Sequence, residues 1–301
     1  VPPVLWLILA LFGAFLFAVV HILDAYCVED IFDKPWMGVI TSAITTLVII
    51  LAPLPFILPF LHWSLPPQHI IFFTVIAGAA FMLSYLLYFH ALSYSEAGII
   101  AAYWNMIPAM ILLLSFILFR EVLALPEYIG IFVLVGASTF LFLLDTTLEM
   151  RVRSFWLMVI ACLLQAIGYL LLDASYGAMP YLQVFVLMSG GMVLVGLCPL
   201  LFTRVRKEIE WNLPKLLPRT RFFLTIEGIN LAALAATQKA LDIGTPSLTS
   251  ALETTIPAFV FLLSLAALAM GLKFGDARSK IHIYWKLTAV GVMTIGVVLV
   301  S

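Results

Sequence analysis

Charge is scarce in this chain. Asp, Glu, Lys and Arg make up only 10% of its 301 residues, against roughly a quarter in soluble domains. A formal net charge of −1 with no basic stripe leaves no electrostatic footprint for nucleic acid. Cysteine is equally thin. Cys27, Cys162 and Cys198 lie in or near apolar segments without metal-ligand spacing, which reads as small core- or lipid-facing residues and no metal. There is no HExxH, no GxSxG and no paired acidic metal motif, so the chain is not expected to be an enzyme and no cofactor is expected. A cleavable signal peptide is not expected either, because the first apolar stretch runs too long and lacks a basic flank. The chain starts without Met, which leaves room for an N-terminal extension.

What fills the sequence instead is hydrocarbon. Hydrophobic residues make up 64% of it and the mean hydropathy is +1.17, the composition of a multi-pass membrane protein. A bilayer core about 30 Å thick asks for roughly 20 apolar residues per helix. Ten runs approach that length, at 4–24, 37–61, 69–92, 95–119, 127–144, 154–175, 180–203, 221–241, 246–271 and 282–300. Helices are expected because backbone groups in lipid must be satisfied within the segment or in a closed barrel. Turn chemistry separates the runs at Leu65-Pro66-Pro67, at Gly177 to Pro180, and at Gly244-Thr245-Pro246. Connections are short; the longest, about residues 204–220, is basic and amphiphilic.

The chain also contains itself. Residues 91–115 return without a gap as residues 240–264, an offset of 149, with nine of 25 positions identical. Ile107-Pro108-Ala109 falls on Ile256-Pro257-Ala258, and Leu23-Asp24-Ala25 on Leu172-Asp173-Ala174. Matched alanines and leucines mean little in so apolar a chain, but matched prolines and aspartates mean more. The register implies a duplication, with residues 1–148 and 149–301 as two five-helix repeats of one membrane domain. Five is odd, so the second copy would enter the bilayer from the opposite side. Inverted repeats of this kind hold a site where the halves meet, reachable from either face in turn. The expected fold is all-α and integral to the membrane, ten transmembrane helices in two inverted repeats.

Lysine and arginine suggest an orientation. One set of loops and flanks holds Lys34, Arg151, Arg153, Arg204, Arg206, Lys207, Lys215, Arg219, Arg221, Lys273, Arg278, Lys280 and Lys286; the other holds Arg120 and Lys239. The positive-inside rule makes the first set cytoplasmic and puts both termini outside.

Two stretches carry a resemblance. In the first half they are Ala91-Leu92, Asn105-Met106-Ile107-Pro108, Arg120-Glu121 and Gly130/Gly136; in the second, Ala240-Leu241, Thr254-Thr255-Ile256-Pro257 and Gly291/Gly296. A helix entered by Ala-Leu, a mid-helix Pro and a following helix with spaced glycines resemble the drug/metabolite transporter superfamily, in its EamA-like permease branch. Aromatics before the fourth-run proline, here Tyr103-Trp104, are similar to those of its aromatic amino-acid exporters. The resemblance implies ten helices and a cavity lined by the fourth and ninth. It also implies cytoplasmic termini, against the charge count. The repeat mate of Glu121 is Met270, so the second copy departs there.

The candidate site residues follow from polarity inside apolar runs. Glu253 lies about a third of the way into the ninth run, where a carboxylate without a partner costs several kcal/mol. Its repeat mate is Trp104, and each stands a turn before a proline, Pro108 or Pro257, expected to break the helix. Glu253 is expected to bind a cationic group or to carry a proton; a structural hydrogen bond is the alternative. With it, Trp104, Tyr103, Asn105, Tyr169, Gln165 and Tyr85 form the expected substrate-binding set, an aromatic-acid cage suited to an organic cation or amine. Glu227, three residues before Asn230, either lines the pathway or pairs with Arg219 or Arg221. Asp24 and Asp173 are read as ending the first and sixth helices. His21 shares a face with Asp24 as a proton-shuttling pair, with hydration at the interface as the plainer role. Glu253, Glu227, Asp24, Asp173 and His21 are thus the coupling or gating candidates. Lys239 is expected to snorkel to the headgroups.

With no GxxxxGK[ST] loop, energy must come from a gradient. The expected function is a secondary transporter moving a small organic metabolite, an amine or amino acid, by alternating access in a bacterial-type inner (plasma) membrane. The alternative is a non-transporting scaffold subunit on the same fold. Expected partners are a small-molecule substrate and membrane lipid, with a homodimer or larger membrane complex left open.

Overall fold

The computed structural model describes residues 4–58, 66–94, 100, 103–120, 122, 124–145, 152–271 and 283–300, and among them every regular element is helical. Leu65, Ala102, Glu121, Arg151, Lys273, Arg278 and Lys280 lie outside the described residues. The helices are α1 (Leu5–Tyr26), α2 (Trp36–Thr46), α3 (Gln68–Leu92), α4 (Met106–Phe119), α5 (Leu125–Asp145) and α6 (Val152–Tyr176). They continue with α7 (Tyr181–Leu197), α8 (Thr203–Leu216), α9 (Thr220–Ile243), α10 (Pro246–Glu253), α11 (Ile256–Ala269) and α12 (Ile283–Val300).

Among the described residues six helical segments are long and apolar enough to cross a bilayer: Leu5–Ile31, Trp36–Phe56, Gln68–Leu92, Arg153–Tyr176, Tyr181–Leu201 and Pro246–Ala269. Met106–Leu118, Leu125–Ala137 and Leu287–Gly296 are shorter apolar stretches. The 24-residue α9 falls outside both groups, because the polar Glu227, Asn230, Thr237 and Gln238, all buried, lower its hydropathy. The first helix does not end at Asp24, as its sequence suggested. Between Asp24 and Pro35 the chain has no Gly or Pro to stop it. A wider turn closed by Phe32 N–H to the Cys27 carbonyl at 2.7 Å carries the helix to Ile31, with Glu29 and Asp30 exposed at its end.

Lipid tails are as apolar as leucine, so packing between helices rests on close fit rather than on the hydrophobic effect. α3 packs along α6 and α7, and α1 packs along α9; α2 lies against α7 and α9, and α5 against α12. Small residues set the closest approaches. At the α3–α7 crossing, a Cβ added to Gly78 would collide with the Met188 carbonyl, and one added to Gly191 with the Val75 carbonyl. Gly168 of α6 takes the Phe81 ring of α3. The main core gathers Phe81, Met82, Met158, Tyr169, Met188 and Met192 around these contacts.

Adjacent glycines in α7 separate the two effects of added bulk. Gly190 has open space where its Cβ would be, whereas Gly191 meets backbone. Gly190→Ala is expected to stay within about 0.5 kcal/mol of wild type. Gly191→Ala should cost about 1–3 kcal/mol, measured by unfolding in detergent; equal effects would contradict the close α3–α7 approach.

Candidate functional site

The breaks before the two prolines shape the site. Pro257 has no N–H, and its ring excludes a hydrogen bond to the carbonyl four residues back, which belongs to Glu253. The chain therefore tightens: Thr254 N–H bonds the Ala251 carbonyl at 3.2 Å, and Thr255 N–H the Leu252 carbonyl at 3.1 Å. The helix resumes at Ile256 with Pro257 in its first turn, where a missing N–H costs little. In the first half, Trp104 stands in the equivalent turn, and Ile107 N–H reaches its carbonyl at 2.9 Å. Both interruptions deliver their side chain, Glu253 or Trp104, to the same cavity.

That cavity is lined from α1, α2, α3, α6, α9 and both breaks. Tyr169 donates its hydroxyl to Glu253, lying 2.6 Å from Oε1 and 2.7 Å from Oε2. Glu227, only 4% exposed, accepts from Thr46 Oγ1 at 2.8 Å and Asn230 Nδ2 at 3.3 Å, with the Ser42 hydroxyl also in reach. Asp24 and His21 are joined through Tyr88. His21 Nδ1 lies 2.8 Å from the Tyr88 hydroxyl, which makes a longer 3.4 Å contact to Asp24 Oδ2. The Tyr88 ring also lies 5.7 Å from that of Trp104. Three carboxyl groups thus share one cavity with Tyr85, Tyr88 and Trp104, and among the described residues no Lys or Arg lines it.

The structure sorts the expected residues. Glu253, Trp104, Tyr169, Gln165, Tyr85, Glu227, Asp24 and His21 all line the cavity. Gln165 is held there by a 2.9 Å bond to Ser84. Tyr103 and Asn105 do not line it. Tyr103 turns its ring toward Phe155, and its carbonyl accepts from Cys162 Sγ at 3.2 Å, while Asn105 is buried in the packing. The two residues flank Trp104, and a single helical turn cannot aim three consecutive side chains one way. Asp173 is exposed and away from the cavity, so the matched aspartates stand in different surroundings. Among the described residues Glu227 makes no ion pair with Arg219 or Arg221; α2 hydroxyls take that place. Lys239 pairs with Asp242 and stands 5.0 Å over the Tyr181 ring rather than reaching freely for headgroups. Cys27 is buried at the cavity, Cys162 is buried in the core and Cys198 is exposed.

Sequence reasoning missed Tyr88 and the α2 hydroxyls. Both left a signal: Tyr88 is three residues after Tyr85, and Thr41, Ser42, Thr45 and Thr46 form a polar stripe at helical spacing inside an apolar run.

The 149-residue offset also exposes an inequality. It carries Gly78 onto Glu227 and Ser42 onto Gly191. The α3–α7 crossing is therefore closed by two glycines with backbones in contact, while the related α2–α9 crossing is occupied by a carboxylate and its hydroxyl donors.

Residues 4–143 match the model of the EamA-like transporter family. The match agrees with the resemblance to the drug/metabolite transporter superfamily read from the sequence, and with six candidate spans it makes this a multi-pass integral membrane protein. A solved structure described only as "Crystal structure of protein" superposes with a TM-score of 0.61 at 16% identity, over 95% of this chain and 98% of that one. It shows a shared fold. No curated protein matches.

The Glu253–Tyr169 pair can be tested by a double-mutant cycle. Tyr169→Phe should cost about 1–3 kcal/mol of stability with Glu253 present. In a Glu253→Leu background it should cost at least about 0.5 kcal/mol less. Equal costs would mean that the two side chains are not coupled.

Proposed function

We propose that the protein is a secondary transporter that moves a small organic metabolite, an amine or amino acid, by alternating access. The cavity carries this reading. It lies inside the bundle, draws on helices from residues 1–148 and from 149–301, and is lined by three carboxyl groups without Lys or Arg among the described residues. Positive charge to balance those groups must arrive with protons or with a ligand. Trp104, Tyr85 and Tyr88 offer ring faces that attract an organic cation. In this reading Glu253 meets the ammonium group, and Glu227, Asp24 and His21 take part in coupling or gating.

The helix contacts support a ten-helix fold of two inverted repeats. Under the offset, α3 against α6 is answered by α1 against α9, α3 against α7 by α2 against α9, and α4 against α6 by α1 against α11. Paired contacts of this kind are what two similar halves produce when joined about a pseudo-two-fold axis. The inequality of the two crossings supports alternating access: one is closed by glycine packing while the other holds the polar cavity. The family match over residues 4–143 supports transport as the activity, and we place the protein in an inner (plasma) membrane of bacterial type. Asp173 stays outside the proposed gate because it is exposed.

Thermal unfolding of the purified chain against amines, amino acids, nucleosides and sugars tests the proposal. An amine or amino acid at about 100 times its Kd should stabilise wild type by about 2.7 kcal/mol, and Glu253→Gln should lose most of that gain. Stabilisation only by sugars or nucleosides would overturn the substrate class. Equal stabilisation of both proteins would remove Glu253 from the site. A wild type that no compound stabilises, yet copurifies with a stable partner, would favour the scaffold subunit.

A further inference from the structure

The basic connection singled out in the sequence is a built surface. α8 lies between α7 and α9 in the chain and forms a groove with the start of α2, lined by Asp33, Lys34, Arg204, Lys207, Glu208 and Trp211. Its charges do not cancel. Asp33 is taken by Lys215 at 2.7 Å, and Glu208 by Arg204 Nε at 3.4 Å. Among the described residues Lys34 and Lys207 form no ion pair, and the Arg204 side chain is 91% exposed with only one nitrogen engaged. The groove thus holds both of its acids already neutralised and two ammonium groups left over.

Apolar surface surrounds it. Trp211 is 85% exposed, Leu201 79%, Phe202 68% and Leu217 62%. On a water-soluble protein these side chains would form an adhesive patch. Here they follow directly on the spanning segment Tyr181–Leu201, so they sit where a transmembrane helix gives way to an amphipathic one. A basic helix that carries an exposed Trp and is flanked by exposed Leu and Phe suits the headgroup region beside the acyl boundary. Tryptophan is the residue that marks that level.

We propose that this groove holds an anionic phospholipid, its phosphate between Lys34, Arg204 and Lys207 and its acyl chains over Phe202 and Trp211. The site is independent of what the central cavity carries. Juxtamembrane basic pockets attract anionic lipids through the same charge pairing. The tie reaches the transport core, because Lys34 and Asp33 lead into α2, whose Ser42 and Thr46 hold Glu227. A lipid there braces α2 against α8.

Native mass spectrometry of the full chain with phosphatidylglycerol and phosphatidylcholine of identical acyl chains tests the site. Wild type should retain phosphatidylglycerol several-fold over phosphatidylcholine. The double variant Lys34→Gln/Lys207→Gln should fall to the phosphatidylcholine level, while Lys34→Arg/Lys207→Arg retains the preference. Arg221→Gln, outside the groove, should behave as wild type. Brominated phosphatidylglycerol should quench a fluorescence component that Trp211→Phe removes. Undiminished preference in the double glutamine variant, loss in Arg221→Gln, or displacement of the lipid by millimolar inorganic phosphate would each overturn the proposal.

Discussion

Everything polar in this molecule depends on finding donors for carboxyl groups held among hydrocarbon. A bilayer offers no water to make good a missing hydrogen bond, so each buried acid has to be served by another helix. Glu253 receives the Tyr169 hydroxyl from α6, Glu227 the Thr46 hydroxyl from α2, and Asp24 the Tyr88 hydroxyl from α3. Hydroxyls suit that role because they donate one bond and carry no charge of their own. The carboxyls are partnered without being neutralised by a fixed cation, which leaves them able to receive a mobile one. A lysine or arginine in the same position would have closed the site electrostatically.

In the proposed two-repeat plan, duplication does not mean equivalence. The two halves share a proline break, and at that break one supplies an indole and the other an acid. They share a helix crossing, and one fills it with glycine while the other fills it with a carboxylate and hydroxyls. The differences concentrate where the halves meet, and the shared features lie in the framework around them. The polar cavity follows that divergence, since the α7 counterparts of the α2 hydroxyls, Gly190, Gly191, Leu194 and Val195, carry no polar side chain.

Much of this was legible in the residues. Glu253 stood out as an acid within an apolar run, Pro257 announced a break, and both fell at the cavity because a proline spoils the very carbonyl that Glu253 carries. Glu227 and Asn230 shared a face in sequence and share a hydrogen bond in space. What failed was argument by repeat alone. Asp173 matched Asp24, but side-chain environment is decided by which helices pack alongside, and the offset says nothing of that. Tyr103 and Asn105 failed for a geometric reason, because neighbours of Trp104 must point elsewhere. The α2 hydroxyls are hard to read because threonine and serine barely dent the hydropathy of a run, although their spacing is there to be seen. The first helix runs past Asp24 because a lone charge does not stop a helix, whereas the proline further on does.

The polarity of α9 constrains what the helix can face. A segment with Glu227, Asn230, Thr237 and Gln238 on its inner side gains little from entering lipid alone. Thr46 of α2 and Tyr176 of α6 donate to Glu227 and Gln238, and Gly13 of α1 makes room for Thr237. All three helices precede α9 in the chain. The polar side of α9 therefore faces protein rather than bilayer, and the helices that cover it come from both halves of the chain.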